Sequence, residues 1–373
     1  MIHVFVGTKA QFIKMAPVMQ ELEQHGVNYN FIDAGQHAAL TGDLIQQFNL
    51  REPDIRLRQE TTSITTVPQA IIWTLKSLGQ LIWNGQAIRR RYFGDEDGIC
   101  LIHGDTLTTL ISLLYAKRCG QKVAHVEAGM RSFHLFEPFP EEIIRLIAMR
   151  FSDILFAPSQ SAYENLRQMG YIDKTVRITK NTGLDAVRYA LQSVNGRHRP
   201  QEPYVIATTH RVETIYSRSR LAVVVDLLQR IAQERRVFFV LHEPTLQQLR
   251  RFNLYDQLAQ NKAIETLPLQ SYLTFVDLIA GADFVVTDGG SIQEECYFLN
   301  VPCLIMRSRT EHVETLGKNG FLASFDPAKI EEFFEMLPSL RQKNVNDDDY
   351  PSQVVVEHVL DYAKERHLAA HGK

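Results

Sequence analysis

Two acidic residues, one at the end of a predicted strand and one at the start of a predicted helix, could carry out proton transfer. Glu127 closes the apolar run Lys122–Val126, which is typical of a buried parallel strand. Glu141 opens an apolar helical segment directly after Pro140, and we predict Pro140 at the first helical position, where its missing N–H has no cost. Carboxylates at such positions are suited to removing or adding a proton at carbon.

Each of these acids also has an ordinary structural explanation. Acids in the first turn of a helix often only complement the helix dipole, and Glu141 with Arg145 fits an i,i+4 ion pair. We prefer this explanation for Glu142, the neighbour of Glu141. For Glu127 we prefer a functional role, because a carboxylate that ends a parallel strand lies where open α/β sheets bind their ligands.

Asp105 is a third candidate, in the segment HGDT (residues 103–106) that follows another apolar run. An Asp-Thr pair in this position often only caps the next helix. Asp105 and Glu127 would follow strands that lie near each other in the sheet. This proximity favours a functional role for Asp105.

A separate set of residues could bind an anion such as a diphosphate. Gly289, Gly290 and Ser291 follow an apolar strand and open a helix, and the free N–H groups of a helix start attract anions. A plain tight turn explains most glycine pairs, but Glu295 lies one turn into the same helix and could accept hydroxyl hydrogens of a sugar. The segment lacks G-x-G-x-x-G, so it is not a dinucleotide fingerprint.

Basic residues at other strand ends could assist. Lys9 and Lys14 flank the first strand–helix turn, where a bound anion or a solvent-exposed position explains them equally well. His210-Arg211 ends a strand in the second half and offers a compact donor and a forked donor for phosphate. His242 ends a further strand, and the sequence leaves open whether it contacts a ligand or packs in the core.

The composition indicates a globular protein without a nucleic-acid or membrane partner. The chain has 373 residues, enough for two domains, and its net charge is −3. No apolar run is long enough to cross a bilayer, and the first strand begins directly after Met1, where a secretory signal would lie. The four cysteines form no C-x-x-C pair, so we expect buried thiols in a reducing cytoplasm and no metal site. Metal-hydrolase, ATP-binding and serine-hydrolase motifs are absent from the sequence.

The alternation of strands, loops and helices predicts an α/β fold with two doubly wound, Rossmann-like domains that face a central cleft. The polar, proline-bounded segment Val194–Pro203 has the composition of a linker. We therefore predict an N-terminal domain over residues 1–190 and a C-terminal domain over residues 200–350. The last helix, over residues 354–373, is expected to pack back on the N-terminal domain.

Taken together, these motifs resemble the non-hydrolysing UDP-N-acetylglucosamine 2-epimerase family over nearly the whole chain. The matching segments are HVEAGMRS and PFPEEIIR within residues 125–145, HGDT at 103–106, GQH at 35–37, FAPS and ENL within 156–166, and TDGGSIQEE at 287–295. The resemblance implies a two-domain glycosyltransferase-B-like fold, a homodimer and no cofactor. It also implies a UDP-sugar substrate whose C2 is inverted by elimination and re-addition of UDP.

The resemblance assigns roles position by position. Asp105, Glu127 and Glu141 would be the acid and base carboxylates. The residues that would hold the diphosphate and the sugar are Lys9, Lys14, Arg145, His210, Arg211, Gly289, Gly290 and Ser291. Glu295 would bind the ribose hydroxyls, and Phe275 would pack near the uracil. Gln36, His37 and His242 match part of a second, allosteric site for UDP-N-acetylglucosamine that some bacterial members have.

Several positions depart from the family pattern, chiefly on the phosphate side. Lys9 and His312 stand where arginines are usual, which replaces forked donors by smaller ones. The hydroxyl usual at position 289 is offered by Ser291 instead, and His242 begins HEPT where the family has H-x-N-P. We expect a 2-epimerase that makes UDP-N-acetylmannosamine or a modified relative for a surface polysaccharide. The alternatives are a hydrolysing 2-epimerase, a glycosyltransferase of the same fold and a sugar-nucleotide-binding protein without turnover.

Overall fold

A computed structural model describes residues 1–36, 38–58, 67–83, 85–94, 97–135, 139–340 and 348–371. These residues form two compact units. The first combines Met1–Ala186 with Asp348–Lys373, and the second is Val187–Asp347. Each unit is built on a parallel sheet with helices on both faces, so the predicted α/β class with two doubly wound sheets is confirmed. The central cleft and the domain limits stay predictions.

The sheet of the first unit has the strand order β3-β2-β1-β4-β5-β6-β7, and all neighbouring strands are parallel. Its strands are β1 (Ile2–Val6), β2 (Tyr29–Asp33), β3 (Ile55–Arg56), β4 (Ile99–His103), β5 (Lys122–Val126), β6 (Ile154–Ala157) and β7 (Thr175–Arg177). The order reverses between β1 and β4. Open α/β sheets bind ligands at such a point, outside the carboxyl ends of the strands.

The helices of the first unit are α1 (Lys9–Gln24), α2 (Ala38–Gln47), α3 (Val67–Trp83), α4 (Gly85–Ile88), α5 (Leu107–Arg118), α6 (Glu141–Phe151), α7 (Gln160–Gln168) and α8 (Gly183–Val194). A π-helical turn (Arg89–Phe93) follows α4, and a 3₁₀ turn (Ile172–Lys174) precedes β7. The division between the units falls within α8. The C-terminal helix, Pro351–His371, packs against α1 of this unit.

The sheet of the second unit has the order β10-β9-β8-β11-β12-β13, again all parallel and again reversing next to its first strand. Its strands are β8 (Tyr204–Thr209), β9 (Arg236–Leu241), β10 (Ile264–Leu267), β11 (Phe284–Thr287), β12 (Cys303–Ile305) and β13 (Gly320–Leu322). Its helices are α9 (Val212–Ile215), α10 (Arg218–Ile231), α11 (Glu243–Arg251), α12 (Tyr255–Gln260), α13 (Tyr272–Gly281), α14 (Gly290–Leu299) and α15 (Pro327–Leu340). The C-terminal helix of the chain, which belongs to the first unit, is α16. A 3₁₀ turn covers Val313–Thr315.

Alternate residues of the central strands pack on opposite faces of each sheet. In β8, Val205 packs in the apolar cluster on one face and Ile206 in the cluster on the other. Burial on both faces explains why these strands are continuous apolar runs rather than alternating ones. The four cysteines are all buried free thiols. Among the described residues, no helix has both the length and the apolar composition needed to span a membrane.

Two helix starts differ from the sequence-based prediction. The amphipathic pattern of the sequence predicts a first helix from about Ile13 to Gln24, whereas α1 begins at Lys9. The earlier start is stabilised by a capping box, in which Thr8 and Gln11 satisfy each other's backbone N–H groups. Pro140 was predicted at the first helical position of α6, but it lies one residue earlier, at the N-cap.

Candidate active site

Glu127 lies directly after β5 in a left-handed backbone conformation, with φ of +68°. Such a conformation is unfavourable for a residue with a side chain, and it is often found where function requires a particular side-chain direction. The turn continues through Gly129, where a Cβ would approach the backbone oxygen of Ala162 to 2.3 Å. The position of Gly129 therefore needs glycine, while Glu127 is a strained residue that keeps its carboxylate.

One oxygen of the Glu127 carboxylate accepts two hydrogen bonds. Lys14 Nζ, from α1, and Asn181 Nδ2, from the segment before α8, both donate to Oε2. His103 Nε2, from the end of β4, lies 3.6 Å from the same oxygen. Burial opposes ionisation of this carboxylate, but Lys14, His103 and Asn181 outweigh it and hold the pKa of Glu127 well below its usual range.

Lys14 therefore contacts a carboxylate, although the resemblance implied a role in holding diphosphate. It is the sixth residue of α1 and lies one and a half turns from the helix start, and its side chain is 9% exposed. The alternative of a surface lysine is wrong. An ammonium group in this position keeps Glu127 charged, which a general base requires.

Two buried histidines lie beneath this carboxylate. Burial lowers the pKa of His103 and the pKa of His125 to about 4, so both rings are neutral near pH 7. His125 Nε2 contacts the backbone oxygen of Gly104 at 2.7 Å. Neither ring nitrogen of His103 has a hydrogen-bond partner among the described residues. The two histidines beside the ionised Glu127 carboxylate are thus uncharged.

Asp105 follows β4 and is held by an arginine. Arg145 Nη2, from α6, lies 2.5 Å from Asp105 Oδ2. The Asp-Thr pair does cap the next helix, but the cap is Thr106, so the carboxylate of Asp105 is left for other contacts. Burial raises the pKa of Asp105 in spite of Arg145, and the neighbouring carboxylates Glu127 and Glu141 raise it further. The structure therefore brings the three predicted carboxylates into one electrostatic group.

Glu142 lies in the first turn of α6 and has structural contacts, but it does more than complement the helix dipole, because it is a buried acceptor for groups outside that turn. It is fully buried and accepts hydrogen bonds from Arg131 Nε at 2.5 Å and from the backbone N–H of Ser132 at 3.0 Å. Arg145 Nη1 reaches it at 3.3 Å. These contacts hold the pKa of Glu142 below its usual range despite burial. Glu142 thereby fixes the arginine that in turn contacts Asp105.

Glu141, the first residue of α6, has one buried oxygen without a partner. Its Oε2 accepts no hydrogen bond from the residues that the structure describes. A buried acceptor without a donor is costly in a folded protein. An atom of this kind is available to a substrate hydroxyl, amide or proton.

Gln11 is a site residue that the sequence analysis did not identify. Its Oε1 accepts from the backbone N–H groups of Gly7 and Thr8, and its Nε2 donates to the backbone oxygen of His103 at 2.7 Å. The same Nε2 contacts Thr106 and Thr109. Gln11 thus ties the turn after β1 to the turn after β4, where the strand order reverses. The available signal was its position at N3 of a capping box.

In the second unit, the start of α14 was predicted as an anion site. Gly289 caps this helix without a side-chain hydrogen bond, so amide groups of its first turn are left for another acceptor. A Cβ at Gly289 would lie 2.8 Å from Cε1 of His210. A side chain at position 289 would therefore require the His210 ring to shift. Ser291 is exposed in the first turn of α14.

Asp288 joins the ends of β8 and β11. It is fully buried and accepts hydrogen bonds from Thr209 Oγ1 at 2.5 Å and from the backbone N–H of His210 at 2.9 Å and of Arg211 at 3.1 Å. His210 Nδ1 lies 3.5 Å from it. Burial lowers the pKa of His210, and Asp288 only partly offsets this effect. Asp288 is visible in the sequence within TDGG, but no role was predicted for it.

Three basic groups surround Glu311 beside the α14 turn. Arg307 Nη1 lies 3.1 Å and Arg211 Nη2 lies 3.8 Å from its carboxylate. Burial opposes its ionisation, but His312 and the two arginines lower the pKa of Glu311 to about 2. A Cβ at Gly290 would lie 3.0 Å from Glu311 Oε1 and 3.3 Å from His312 Nε2. The first turn of α14 therefore lies beside three basic side chains and beside the carboxylate that they contact, Glu311.

Glu294, His312 and Glu314 could hold a metal ion, since their donor atoms lie within 4.8 Å of one another. A metal ligand must be deprotonated. His312 Nδ1 lies 3.3 Å from Glu314 and 4.0 Å from Glu294, and these carboxylates with Glu311 overcome burial and raise the pKa of His312 to about 9. The group therefore suits an imidazolium ion between carboxylates, in the place where the family usually has arginine.

The other predicted residues have the following places. Lys9 is the first residue of α1 and is partly exposed. Glu295 is partly buried on α14, and Phe275 of α13 packs against an apolar cluster of the second unit. Gln36, in the first unit, accepts a hydrogen bond from Thr108 at 2.7 Å. His37 lies outside the described residues.

His242 caps α11 in the second unit, and its ring stacks on His210 with centroids 4.9 Å apart. This contact places His242 beside a residue expected to bind phosphate. The sequence left open whether His242 contacts a ligand or packs in the core. The structure places it at the carboxyl ends of the strands and not in the core.

Comparison with known proteins gives consistent matches along the chain. A family model described as UDP-N-acetylglucosamine 2-epimerase matches residues 20–360. The UDP-N-acetylglucosamine 2-epimerase of Methanococcus maripaludis is 31% identical over 358 residues, which cover 92% of this chain and 93% of that protein. The UDP-2,3-diacetamido-2,3-dideoxy-D-glucuronate 2-epimerase of Pseudomonas aeruginosa is 30% identical over 332 residues, covering 84% and 86%. The Methanocaldococcus jannaschii UDP-GlcNAc 2-epimerase in complex with UDP-GlcNAc and UDP has a TM-score of 0.81 at 28% identity, covering 97% and 99%.

Proposed function

This chain belongs to the UDP-N-acetylglucosamine 2-epimerase family, and we propose that it interconverts UDP-N-acetylglucosamine and UDP-N-acetylmannosamine. A base removes the C2 proton, the bond from C1 to the diphosphate oxygen breaks, and a C1=C2 double bond forms with release of UDP. Re-addition of UDP at C1 with protonation of C2 from the opposite face gives the epimer. The related Pseudomonas enzyme acts on a diacetamido-glucuronate, so a modified UDP-sugar falls within the same proposal.

The contrast between two carboxylates supports this assignment. The pKa of Glu127 is held well below its usual range and the pKa of Asp105 is raised, the second primarily by burial. When two neighbouring acids have pKa values pushed apart, the ionised one suits the base and the other suits the acid. Glu127 is therefore assigned the removal of the C2 proton, and Asp105 its replacement. Glu141, with its free buried oxygen, would orient the sugar between them.

Loss of UDP requires stabilisation of the departing diphosphate. The start of α14 at Gly290, with Arg211 and His210 nearby, provides amide and cationic donors suited to that charge. Glu295 and Phe275 are assigned to the ribose and the uracil, as the resemblance implied. Lys9 and Ser291 are assigned to the phosphate groups on the same ground.

Incubation of the protein with UDP-N-acetylglucosamine in deuterated water tests the proposal. Epimerisation predicts deuterium at C2 of a recovered UDP-sugar, detected by NMR and mass spectrometry. Free sugar with UDP would indicate a hydrolysing enzyme. Unlabelled substrate with a raised melting temperature would indicate a binding protein, and turnover only with an added acceptor would indicate a glycosyltransferase.

The expected homodimer, cytoplasmic location and role in surface polysaccharide synthesis are included in the proposal on the strength of the resemblance. Light scattering of the purified chain tests the first of these. A mass near 43 kDa, that of one chain, would contradict the dimer.

A further inference from the structure

Asn181 contacts the proposed base in a way that the family motifs used above do not describe. It lies in the segment that joins β7 to α8, and it is 3% exposed. Its Nδ2 donates to Oε2 of Glu127, the oxygen that also accepts from Lys14 Nζ. Both hydrogen bonds that Glu127 accepts from the described residues therefore end on the same oxygen.

The orientation of the Asn181 amide is fixed by its other end. Oδ1 accepts the backbone N–H of Gly183 at 3.2 Å, and the hydroxyl of Thr182 lies 3.4 Å from it. This Asx turn requires the oxygen to face the backbone. The NH₂ group must then face Glu127, because an amide presents its donor opposite its acceptor.

The second oxygen of Glu127 has a different environment. The position that a Cβ would take at Gly104 lies 3.8 Å from Oε1, so glycine leaves that side of the carboxylate uncrowded. Oε1 accepts no hydrogen bond within the described part of the chain, whereas Oε2 accepts two. The left-handed backbone at Glu127 keeps this side-chain direction.

We propose that Asn181 is a positioning residue that, with Lys14, fixes Glu127 through Oε2 and leaves Oε1 as the atom that takes the C2 proton. This inference rests on the proposed role of Glu127 as the base. A donor to one oxygen stabilises the ionised carboxylate and stops its rotation, so the other oxygen keeps one direction. The charged and titratable groups that face Glu127 are Lys14, His103, His125, Asp105 and, through Asp105, Arg145.

Asn181→Asp and Asn181→Ala test the proposal in the full-length enzyme. Asn181→Asp keeps the shape and the Oδ1 contact but replaces the donor with a second carboxylate. Asn261→Asp is the matched control, because Asn261 forms the same turn with Ala263 and donates from Nδ2 to Gln229, in the second unit. The measurements are kcat, KM and C2 deuterium exchange from about pH 9 down to the lowest pH at which each protein stays folded, because the pKa of Glu127 lies well below its usual range. The melting temperature of each variant is measured alongside.

Removing a donor raises the pKa of the base, so activity is lost at a higher pH on the acidic side. We expect Asn181→Ala to lower kcat roughly 10-fold with KM within about 3-fold, and to move the acidic limb of kcat/KM up by about one pH unit. Asn181→Asp should move the limb further and recover activity as the pH rises, and Asn261→Asp should match the wild type. An unmoved limb in both Asn181 variants, at any loss of kcat, would overturn the inference.

A titration of ¹³C-labelled glutamate carboxyls by NMR separates this inference from the proposed function. The Glu127 signal is identified by its absence in Glu127→Gln. If the wild type does not label C2, the proposed function fails, while a Glu127 pKa higher in Asn181→Ala than in the wild type still supports the contact. If the wild type labels C2 but the Glu127 pKa is equal in both proteins, the inference fails on its own. Should Asn181→Ala not fold, Asn181→Asp, which keeps the turn, carries the same comparison.

Discussion

The charge on His312 should make the second unit lose stability at mildly alkaline pH. His312 lies just before the 3₁₀ turn, 5% exposed, with its Nδ1 facing Glu314 and Glu294. Glu311 is the third carboxylate near it and is itself paired with Arg307. These groups stabilise the imidazolium ion in the folded protein, and unfolding removes that stabilisation.

The magnitude follows from linkage between protonation and folding. The pKa of His312 is about 9 in the folded chain against about 6.5 for an ordinary histidine. A group whose pKa is raised by folding contributes stability below its unfolded pKa, and the contribution disappears as the pH rises through the folded value. For this shift, the linkage relation gives a loss of about 2 kcal/mol between pH 7 and pH 9.

The assay compares the wild type with His312→Arg and His312→Gln by urea unfolding at pH 7 and pH 9. Arginine keeps its charge throughout this range and glutamine has none, so neither variant should show the histidine contribution to the pH slope. Both tryptophans, Trp73 and Trp83, belong to the first unit, so their fluorescence does not report on the second. Far-UV circular dichroism and hydrogen exchange of peptides from α14 at matched pH are suitable probes.

Other groups that titrate between pH 7 and pH 9 are common to the three proteins and cancel in the difference. The wild type should therefore lose about 2 kcal/mol more than either variant over this range. Equal pH slopes in the wild type and in both variants would refute the reasoning. It would mean that His312 is neutral at pH 7, and Glu294, His312 and Glu314 could then bind a metal ion.

Three further substitutions test separate parts of the site. Glu127→Gln should keep UDP affinity within a few fold but lower turnover at least ~100-fold, because the base is lost; turnover near that of the wild type would contradict the assignment. Arg145→Lys should lower the free energy of unfolding in urea by about 2–3 kcal/mol, since the point charge of lysine does not replace the forked contacts to Asp105 and Glu142. The control Arg167→Lys, at a side chain that is 59% exposed, should change the free energy of unfolding by less than about 0.5 kcal/mol. Gly290→Ala should weaken UDP binding roughly 10-fold in calorimetry by crowding the anion site, and Gly79→Ala, whose Cβ meets no atom within 4 Å, should bind as the wild type does.

The sequence predicted the central strands well, but it did not predict three of the four edge strands. The apolar runs that predict strands with the observed limits of β1, β5, β6, β8 and β11 are Ile2–Val6, Lys122–Val126, Ile154–Ala157, Tyr204–Thr209 and Phe284–Thr287. Burial on both faces makes each of these strands a continuous apolar run. The strands β3, β10 and β13 were not predicted. Each lies at an edge of its sheet, has two to four residues and is partly exposed, so it has no apolar run to recognise.

The same distinction applies to the site. Asp105 and Glu127 were predicted because each follows an apolar run and the type of residue is visible in the sequence. Their partners were not, because Lys14 lies 113 residues and Asn181 lies 54 residues from Glu127 along the chain. A contact of this kind depends on the order of strands in the sheet, which periodicity does not reveal. The buried role of Glu142 was missed for a different reason. Its donors Arg131 and Ser132 come from the irregular loop before α6, whose path has no periodic signal in the sequence.

The backbone at Glu127 shows how stability and function are connected here. A non-glycine residue at positive φ costs on the order of 1–2 kcal/mol, which a glycine would avoid at the expense of the carboxylate. The hydrogen bonds from Lys14 and Asn181 to Oε2 offset that cost only while Glu127 is ionised, because a protonated carboxyl is a weaker acceptor. The strained turn and the low pKa of Glu127, the proposed base, therefore support each other. Protonation of Glu127 would remove both the base and the interactions that hold the turn in place.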